Sequence, residues 1–344
     1  MPGIRRFETD ILVIGCGAAG MACASAAAEA GASVIVADDR ETPGGVLPQC
    51  VHKGFGLGRY GKEMTGPEYG EEEYKRFERS GALYMPNSRV LSIQALDDHE
   101  SAPCNASEIA DAASEYKCVS RGIVLLSQNS GMCEVSFKEC VLATGCLEKS
   151  IWSLGLSGTR PLGVYTAGEA QEMIELGGYD VGDKIFILGS GDIGQIMARR
   201  FKQLGKTVIA MAEISDHLGG MKRNQEECIK AYDIPVMLKT TVTEIHGYPR
   251  LTGVTVHHFD TNKDEYVECE TLISALGLIP DKTLAEGLKT MDRSGNSSND
   301  ISGNSSYPEW LHFCGNADFV HEIADSASSQ GEKIGLTLAH KLHQ

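Results

Sequence analysis

The chain has 344 residues, enough for roughly two domains of ~150 residues each, and its 42% apolar and 23% charged residues are ordinary for a globular protein. Lys plus Arg number 31 against 47 Asp plus Glu, a net charge of −16, which argues against a nucleic-acid or anionic-membrane surface. No apolar run approaches the ~18 residues of a membrane span, and no signal-peptide pattern precedes the first strand, so a cytoplasmic protein without a membrane span is expected.

In chain order, the first unit opens at Asp10 with DILVIGCGAAG. Residues 11–14 read as a buried strand. Gly15, Gly17 and Gly20 follow at GxGxxG spacing, and an alanine-rich helix over 18–30 stops at Gly31. A second strand, 34–37, ends on Asp38. Gly44 and Gly45 then lead to Cys50, to His52 two places on, and to the run KGFGLGRYG, which reads as a lid, a close backbone approach to a ligand, or a plain turn. The acidic run Glu71–Glu73, after Pro67, reads as a dipole-matched exposed helix. Short alternating strands are expected near 89–96 and 123–137, around a weakly patterned polar stretch at 97–121. The segment closes on VLATG at 141–145.

The pattern then repeats. DKIFILGSGDIG supplies a strand at 185–188 and Gly189, Gly191 and Gly194. A helix over 192–204 stops at Gly205, and a strand at 207–212 ends on Glu213. A meander is expected over 236–245 and 253–267, closing on LISALG at 272–277. The Ser-, Asn- and Gly-rich stretch 294–306 reads as a loop. Beyond it, FCGNAD precedes His321 and Asp325. These either share one face of the last helix, or Asp325 caps it and His321 is solvated.

Each fingerprint has its full context: a strand before, a helix after, and an acid 38 − 20 = 18 or 213 − 194 = 19 residues beyond the last glycine. The first glycine makes the tight turn, the second admits a pyrophosphate against the backbone, and the third lets helix and strand pack closely. Phosphates then sit on the helix N-terminus, and the acid accepts from ribose hydroxyls. Two such sites imply two dinucleotides, one held and one exchanging, as in a flavoenzyme. Glu213 should repel a 2′-phosphate, which favours NAD over NADP, although Lys222 and Arg223 stand further on.

Eleven cysteines include no CxxC and no CxxxxC pair. Zinc, iron–sulfur and dithiol-relay sites therefore lack their spacing, no metal site is expected, and most thiols should pack as small apolar groups.

Taken together, GCGAAG, Asp38, VLATG, GSGDIG, ALGLIP and FCGNAD resemble, in order and over nearly the whole chain, the FAD-dependent pyridine nucleotide–disulfide oxidoreductase superfamily. The resemblance implies an α/β fold of two Rossmann-like (ββα, three-layer) nucleotide-binding domains, the NAD domain inserted in the FAD domain. The expected boundaries are 1–150 for the first part of the FAD domain, 151–277 for the NAD domain and 278–344 for the completed FAD domain. It implies FAD at the first fingerprint and NAD at the second. Asp38 would hold the adenosine ribose, the backbone near Val90 would meet the adenine, and Gly45 and Gly145 would line the cofactor's path. Gly315 and Asn316 would reach the ribityl and phosphate region, Asn316 standing where the superfamily usually has Asp. The last helix would direct its N-terminus at the flavin ring.

A narrower resemblance, carried by PGGVLPQCVHKGFGLGRYGKEMTGPEY and by GTRPLGVYTAGEAQEMIELGGYDVGDKIFILGSGDIGQIMARR, is to FAD/NAD-binding proteins found with anaerobic glycerol-3-phosphate dehydrogenases. It implies electron transfer between NADH and a partner dehydrogenase or a small acceptor. Two alternatives stand beside it. One is an NADH oxidase or peroxidase in which Cys50, activated by His52, cycles through sulfenic acid. The other is a non-catalytic flavoprotein component of a larger dehydrogenase. Cys50 and His52 are thus the candidate catalytic pair, with the competing reading that Cys50 only packs while His52 lines the site.

Overall fold

The computed structural model describes residues 4–96, 120–288 and 307–344. The expected loop at 294–306 and all but the last two residues of the one at 97–121 lie outside the described residues. In chain order the α-helices of the described residues are α1 (Ala18–Glu29), α2 (Leu57–Tyr60), α3 (Gly66–Ser80), α4 (Ala167–Glu175), α5 (Asp192–Gln203), α6 (Lys222–Asn224) and α7 (Ala324–Leu342). The chain divides into two compact units: unit 1 comprises Met1–Pro48, Lys53–Cys146 and Pro280–Gln344, and unit 2 comprises Gln49–His52 and Leu147–Ile279.

Unit 1 is built on one sheet whose strands run, edge to edge, Leu83–Met85, Val34–Ala37, Arg5–Ile14, Gly131–Leu142, Gly122–Gln128 and Arg89–Ala95. Gly131–Leu142 does two jobs. It forms an antiparallel hairpin with Gly122–Gln128, and it pairs in parallel with Arg5–Ile14 and with Leu311–Phe313. This explains why the first strand starts earlier than the apolar run at 11–14: residues 5–9 follow the hairpin half, from Arg5 opposite Cys133 to Thr9 opposite Phe137. Alternate side chains face opposite layers. Ile11 and Val13 point into the core under α1, whereas Leu12 and Ile14 join Phe137 and Trp310 on the other face.

Helix α1 is buried over Ala19–Ala27 and has no polar face, as expected of a helix enclosed on all sides. Its small side chains let α7 lie backbone-close. A Cβ at Gly331 would stand 2.2 Å from the Ala19 carbonyl oxygen, and one at Gly335 would stand 2.2 Å from that of Cys23. In α3, Thr65 and Glu68 form a capping box at the start. Glu73 departs from the exposed helix expected there. It is 1% exposed and takes hydrogen bonds from Arg59 and from the Tyr60 hydroxyl. Arg59 also reaches Glu332 of α7 at 2.7 Å, so α2, α3 and α7 share one partly buried ionic network.

Unit 2 has a parallel sheet in the order Val164–Thr166, Thr271–Ser274, Lys184–Leu188, Thr207–Ala212, Val236–Met237. An antiparallel meander, Thr240–His246, Gly253–His258 and Lys263–Glu268, accompanies it. Ile185 and Ile187 face the helical layer with Phe201 and Met211, while Phe186 and Leu188 face the meander with Val242 and Val256. Each unit is thus a three-layer α/β nucleotide fold, as the repeat in the sequence implies.

Candidate functional site

In unit 1 the first fingerprint has the geometry its spacing requires. Gly15 has φ +103°, and a Cβ there would lie 2.4 Å from the Ala143 carbonyl oxygen. A Cβ at Gly20 would lie 1.9 Å from the Gly15 carbonyl oxygen, so only glycine lets α1 start against the loop. Gly17 differs: the nearest atom to a Cβ there is the Gly45 Cα at 3.8 Å. It is the N-cap of α1, carries no side-chain cap, and is followed by a first turn without an acid. The N–H groups at this helix end therefore have no side-chain cap and are available to an anion.

Asp38 closes the loop. Its carboxylate accepts from the Cys16 N–H at 2.5 Å and the Arg40 N–H at 2.8 Å. Burial raises its pKa by more than these two donors lower it. The Gly44 N–H returns to the Cys16 carbonyl at 2.8 Å, which seats the Gly44–Gly45 turn beside the fingerprint. Val90 lies on the Arg89–Ala95 strand at a bulge between Val90 and Ser92. Gly145 has φ +78°, and the Asp281 N–H donates to its carbonyl at 3.0 Å.

The FCGNAD turn is held from α7. Gln330 Oε1 accepts from the Gly315 N–H at 2.7 Å and lies 3.0 Å from His321 Nε2, which must therefore be the protonated ring nitrogen. Asn316 has a fixed amide. Its Oδ1 accepts the His321 N–H at 2.9 Å, so its Nδ2 faces Cys146 Sγ, at 3.5 Å. Neither Gln330 nor Cys146 was singled out by the sequence. The signal for the second was there, since Cys146 follows VLATG directly.

His321 and Asp325 do not share a helix face, because α7 starts at Ala324. Asp325 does not cap α7 either. Its carboxylate accepts from the N–H groups of Gly56 at 2.8 Å, Gly58 at 2.8 Å and Arg59 at 3.2 Å. The KGFGLGRYG run is thereby pinned to the first turn of α7.

Unit 2 repeats the fingerprint geometry. Gly189 has φ +101° with a would-be Cβ 2.3 Å from the Ala275 carbonyl oxygen, and Gly194 would meet the Gly189 oxygen at 2.7 Å. Gly191, the uncapped N-cap of α5, has only the Ala275 oxygen near, at 4.0 Å. Glu213 accepts from the Ser190 N–H at 3.0 Å, the Ser190 hydroxyl at 2.5 Å and the Ser215 N–H at 2.9 Å. Burial alone would raise the pKa of Glu213, but these donors outweigh it and hold the carboxyl below its usual range. Lys222 and Arg223 fall on α6, and Arg223 pairs with Glu227 at 2.9 Å.

Cys50 and His52 sit in the short Gln49–His52 excursion that belongs to unit 2. Gln49 donates to the Gly168 carbonyl of α4 at 3.1 Å, and Cys50 Sγ lies 3.8 Å from Gln171 Oε1. The Cys50 thiol is pushed up to about 12 by burial. At neutral pH it is a thiol, which is the poorer nucleophile and the form a packed cysteine takes.

Both fingerprints thus present a helix start without a side-chain cap, a bare glycine before it and a bound acid behind it, the groups a dinucleotide's pyrophosphate and ribose need. They differ in that the first turn of α5 carries Asp192, which accepts from the Met221 N–H and from Asn224, where α1 has no acid. No helix among the described residues is long and apolar enough to cross a membrane.

Comparison with known proteins agrees with this architecture. Thioredoxin reductase of T. acidophilum superposes with a TM-score of 0.72 at 19% identity, over 98% of this chain and 99% of that one. An opine oxidase subunit from Rhizobium meliloti is 28% identical over 204 residues, 59% of this chain and 34% of that protein. The corresponding opine oxidase subunit from Agrobacterium tumefaciens (strain Ach5) is 23% identical over 293 residues, 80% of this chain and 54% of its own length. The chain therefore spans about a third to a half of the curated relatives it matches. The sequence profile described as pyridine nucleotide-disulphide oxidoreductase matches residues 9–331. With that match covering most of the chain, and with one α/β unit inserted in the chain of the other, the protein belongs to the pyridine nucleotide-disulphide oxidoreductase family.

Proposed function

We propose that this chain is an FAD-dependent oxidoreductase that moves electrons between NAD(H) and a second partner without a dithiol. Family membership implies a flavin and a pyridine nucleotide. The observation that carries the finer reading is the pairing of fingerprints, each with an uncapped helix start and an acid fixed by backbone donors. In this reading unit 1 holds FAD through Gly15, Gly17, Gly20, Asp38, Gly45, Val90, Gly145, Gly315 and Asn316. Unit 2 binds NADH through Gly189, Gly191, Gly194 and Glu213. When bound, the flavin supplies hydride chemistry; the protein's own groups bind, orient and exclude water.

The relatives named as parts of an opine oxidase support a multi-subunit setting, in which the partner is another protein chain. A glycerol-3-phosphate dehydrogenase partner, expected from the narrower resemblance, draws no support from these relatives. The test is anaerobic stopped-flow reduction of the purified yellow protein by NADH, followed by reoxidation with an artificial acceptor and with oxygen. Rapid reduction, with turnover on the acceptor but not on oxygen, is expected. A protein that NADH does not reduce would overturn the reading.

Coenzyme choice follows from Glu213. NADH should be preferred over NADPH in kcat/KM, and Glu213→Ala should narrow the gap, because the ionised carboxylate repels a 2′-phosphate. Equal use of both coenzymes by the wild type would contradict this.

The neutral Cys50 thiol, raised by burial, favours packing over the peroxidase alternative. Cys50→Ser should leave both flavin reduction and reoxidation unchanged, and the wild type should have no long-wavelength charge-transfer band at neutral pH. Such a band, lost in the variant, would restore Cys50 and His52 as a reactive pair.

A further inference from the structure

The repeat extends past the acids. Asp38 is followed six residues later by Gly44–Gly45, and Glu213 six residues later by Gly219–Gly220, so both units carry an acid and then a Gly–Gly return. The return is seated differently in the two. In unit 1 the Gly44 N–H bonds the Cys16 main-chain carbonyl at 2.8 Å. In unit 2 the Gly219 N–H bonds the Ser190 side-chain hydroxyl at 2.8 Å, and that hydroxyl donates onward to Glu213 at 2.5 Å. Ser190 is fully buried, so its hydroxyl meets these two partners rather than solvent. Gln195, also fully buried, braces the same point, donating to the Ser190 carbonyl at 2.7 Å and to the Gly219 carbonyl at 2.8 Å.

We propose that Ser190 is the positioning residue for coenzyme choice: its hydroxyl couples the Gly219–Gly220 return to Glu213 and holds that carboxylate where it meets the ribose 2′-hydroxyl. The inference rests on the assignment of NAD to unit 2. A hydroxyl has one proton and two lone pairs, so it can accept from Gly219 and donate to Glu213 at once. The thiol of Cys16, in the matching place, makes no such bridge, since the corresponding contacts to Asp38 and Gly44 are made by its backbone. The acids differ accordingly: burial prevails at Asp38 and raises its pKa, whereas at Glu213 burial is outweighed by donors that include the Ser190 hydroxyl, and the pKa is lowered.

The test is calorimetric binding of NAD+ and NADP+ to the purified flavin-containing protein, oxidised coenzymes being used so that no turnover occurs. Ser190→Ala should weaken NAD+ on the order of tenfold, the scale of a lost hydrogen bond to a charged group, and change NADP+ little. In a Glu213→Gln background the same change should have almost no further effect on the NAD+/NADP+ ratio. The acid limb of NAD+ binding should also move to higher pH in Ser190→Ala, because Glu213 loses a donor that lowers its pKa. Should the alanine variant not fold, Ser190→Cys, the residue unit 1 carries there, is read the same way. Equal weakening of both coenzymes, or full additivity with Glu213→Gln, would overturn the proposal while leaving NAD in unit 2. A wild type that binds neither coenzyme would overturn the NAD assignment and this inference with it.

Discussion

Gly17→Glu should give a folded, colourless protein. The position tolerates a side chain: its backbone is extended, at φ −78° and ψ −168°, and a Cβ meets nothing closer than 3.8 Å. The new carboxylate would lie over the start of α1, where it satisfies the free N–H groups itself and adds favourable helix-dipole energy. It would occupy the place proposed above for the flavin pyrophosphate and repel it. Neighbouring Gly20 is unsuitable for this experiment, because a Cβ 1.9 Å from the Gly15 oxygen breaks the packing of α1 along with any binding. Visible flavin absorbance per chain, with far-UV circular dichroism as the check on folding, decides the matter. A variant with native dichroism and a full complement of flavin would show that the first fingerprint is not the flavin site.

The second large effect concerns stability. Glu139 is fully buried in the Gly131–Leu142 strand and is met by His312 Nε2 at 2.7 Å, Lys341 Nζ at 2.7 Å and Arg121 at 3.3 Å. Burial would raise its pKa, but the hydrogen bonds from His312 and Lys341 outweigh that and leave it lowered. Removing the two closer partners, as in the double variant His312→Phe with Lys341→Met, leaves the buried charge with Arg121 alone, at 3.3 Å, and should cost up to about 3–5 kcal/mol. Adding Glu139→Leu to that background should recover much of the loss, since an apolar replacement of a buried ionic cluster is often near neutral.

The pH dependence has a definite sign. A carboxylate whose folded pKa lies below its unfolded value, about 4.3, contributes stability above that pH and loses it as pH falls through the folded pKa. In the double variant the folded pKa rises instead. The deficit should then be largest at neutral pH and shrink on acidification. Chemical denaturation of wild type and variants across this range checks both claims, and a deficit independent of pH would refute the role given to Glu139.

What the sequence made legible was what is local. A tight turn needs φ +103° at Gly15 and +101° at Gly189, which selects glycine at once, and Gly31 and Gly205 end α1 and α5 by the same logic. What it hid depends on partners distant in the chain. Glu73 looked exposed because its helix is acidic around it, and its burial follows from Arg59, which is itself tied to Glu332, 273 residues on. Asp325 looked like a cap because it stands at a helix start, but the N–H groups it accepts from belong to Gly56, Gly58 and Arg59. For Cys50 the spacing after Gly44–Gly45 is conspicuous, while its partial burial beside Gln171, which raises the thiol pKa, is not written in the neighbouring residues.

The division of unit 1 into separated stretches of chain has a consequence for synthesis. Residues 1–146 leave the ribosome before the two pieces that complete them, the Leu311–Phe313 strand and α7. Until those emerge, α1 lacks the α7 backbone that packs against its small side chains, and the Gly131–Leu142 strand, paired with Arg5–Ile14 on one edge, lacks its other neighbour along Cys140–Leu142. Unit 2, by contrast, has every strand of its parallel sheet and of its meander by residue 274. The nascent chain therefore carries a finished nucleotide fold in its middle while its first fold is still open, and this interval is when the open fold is most exposed to mispairing.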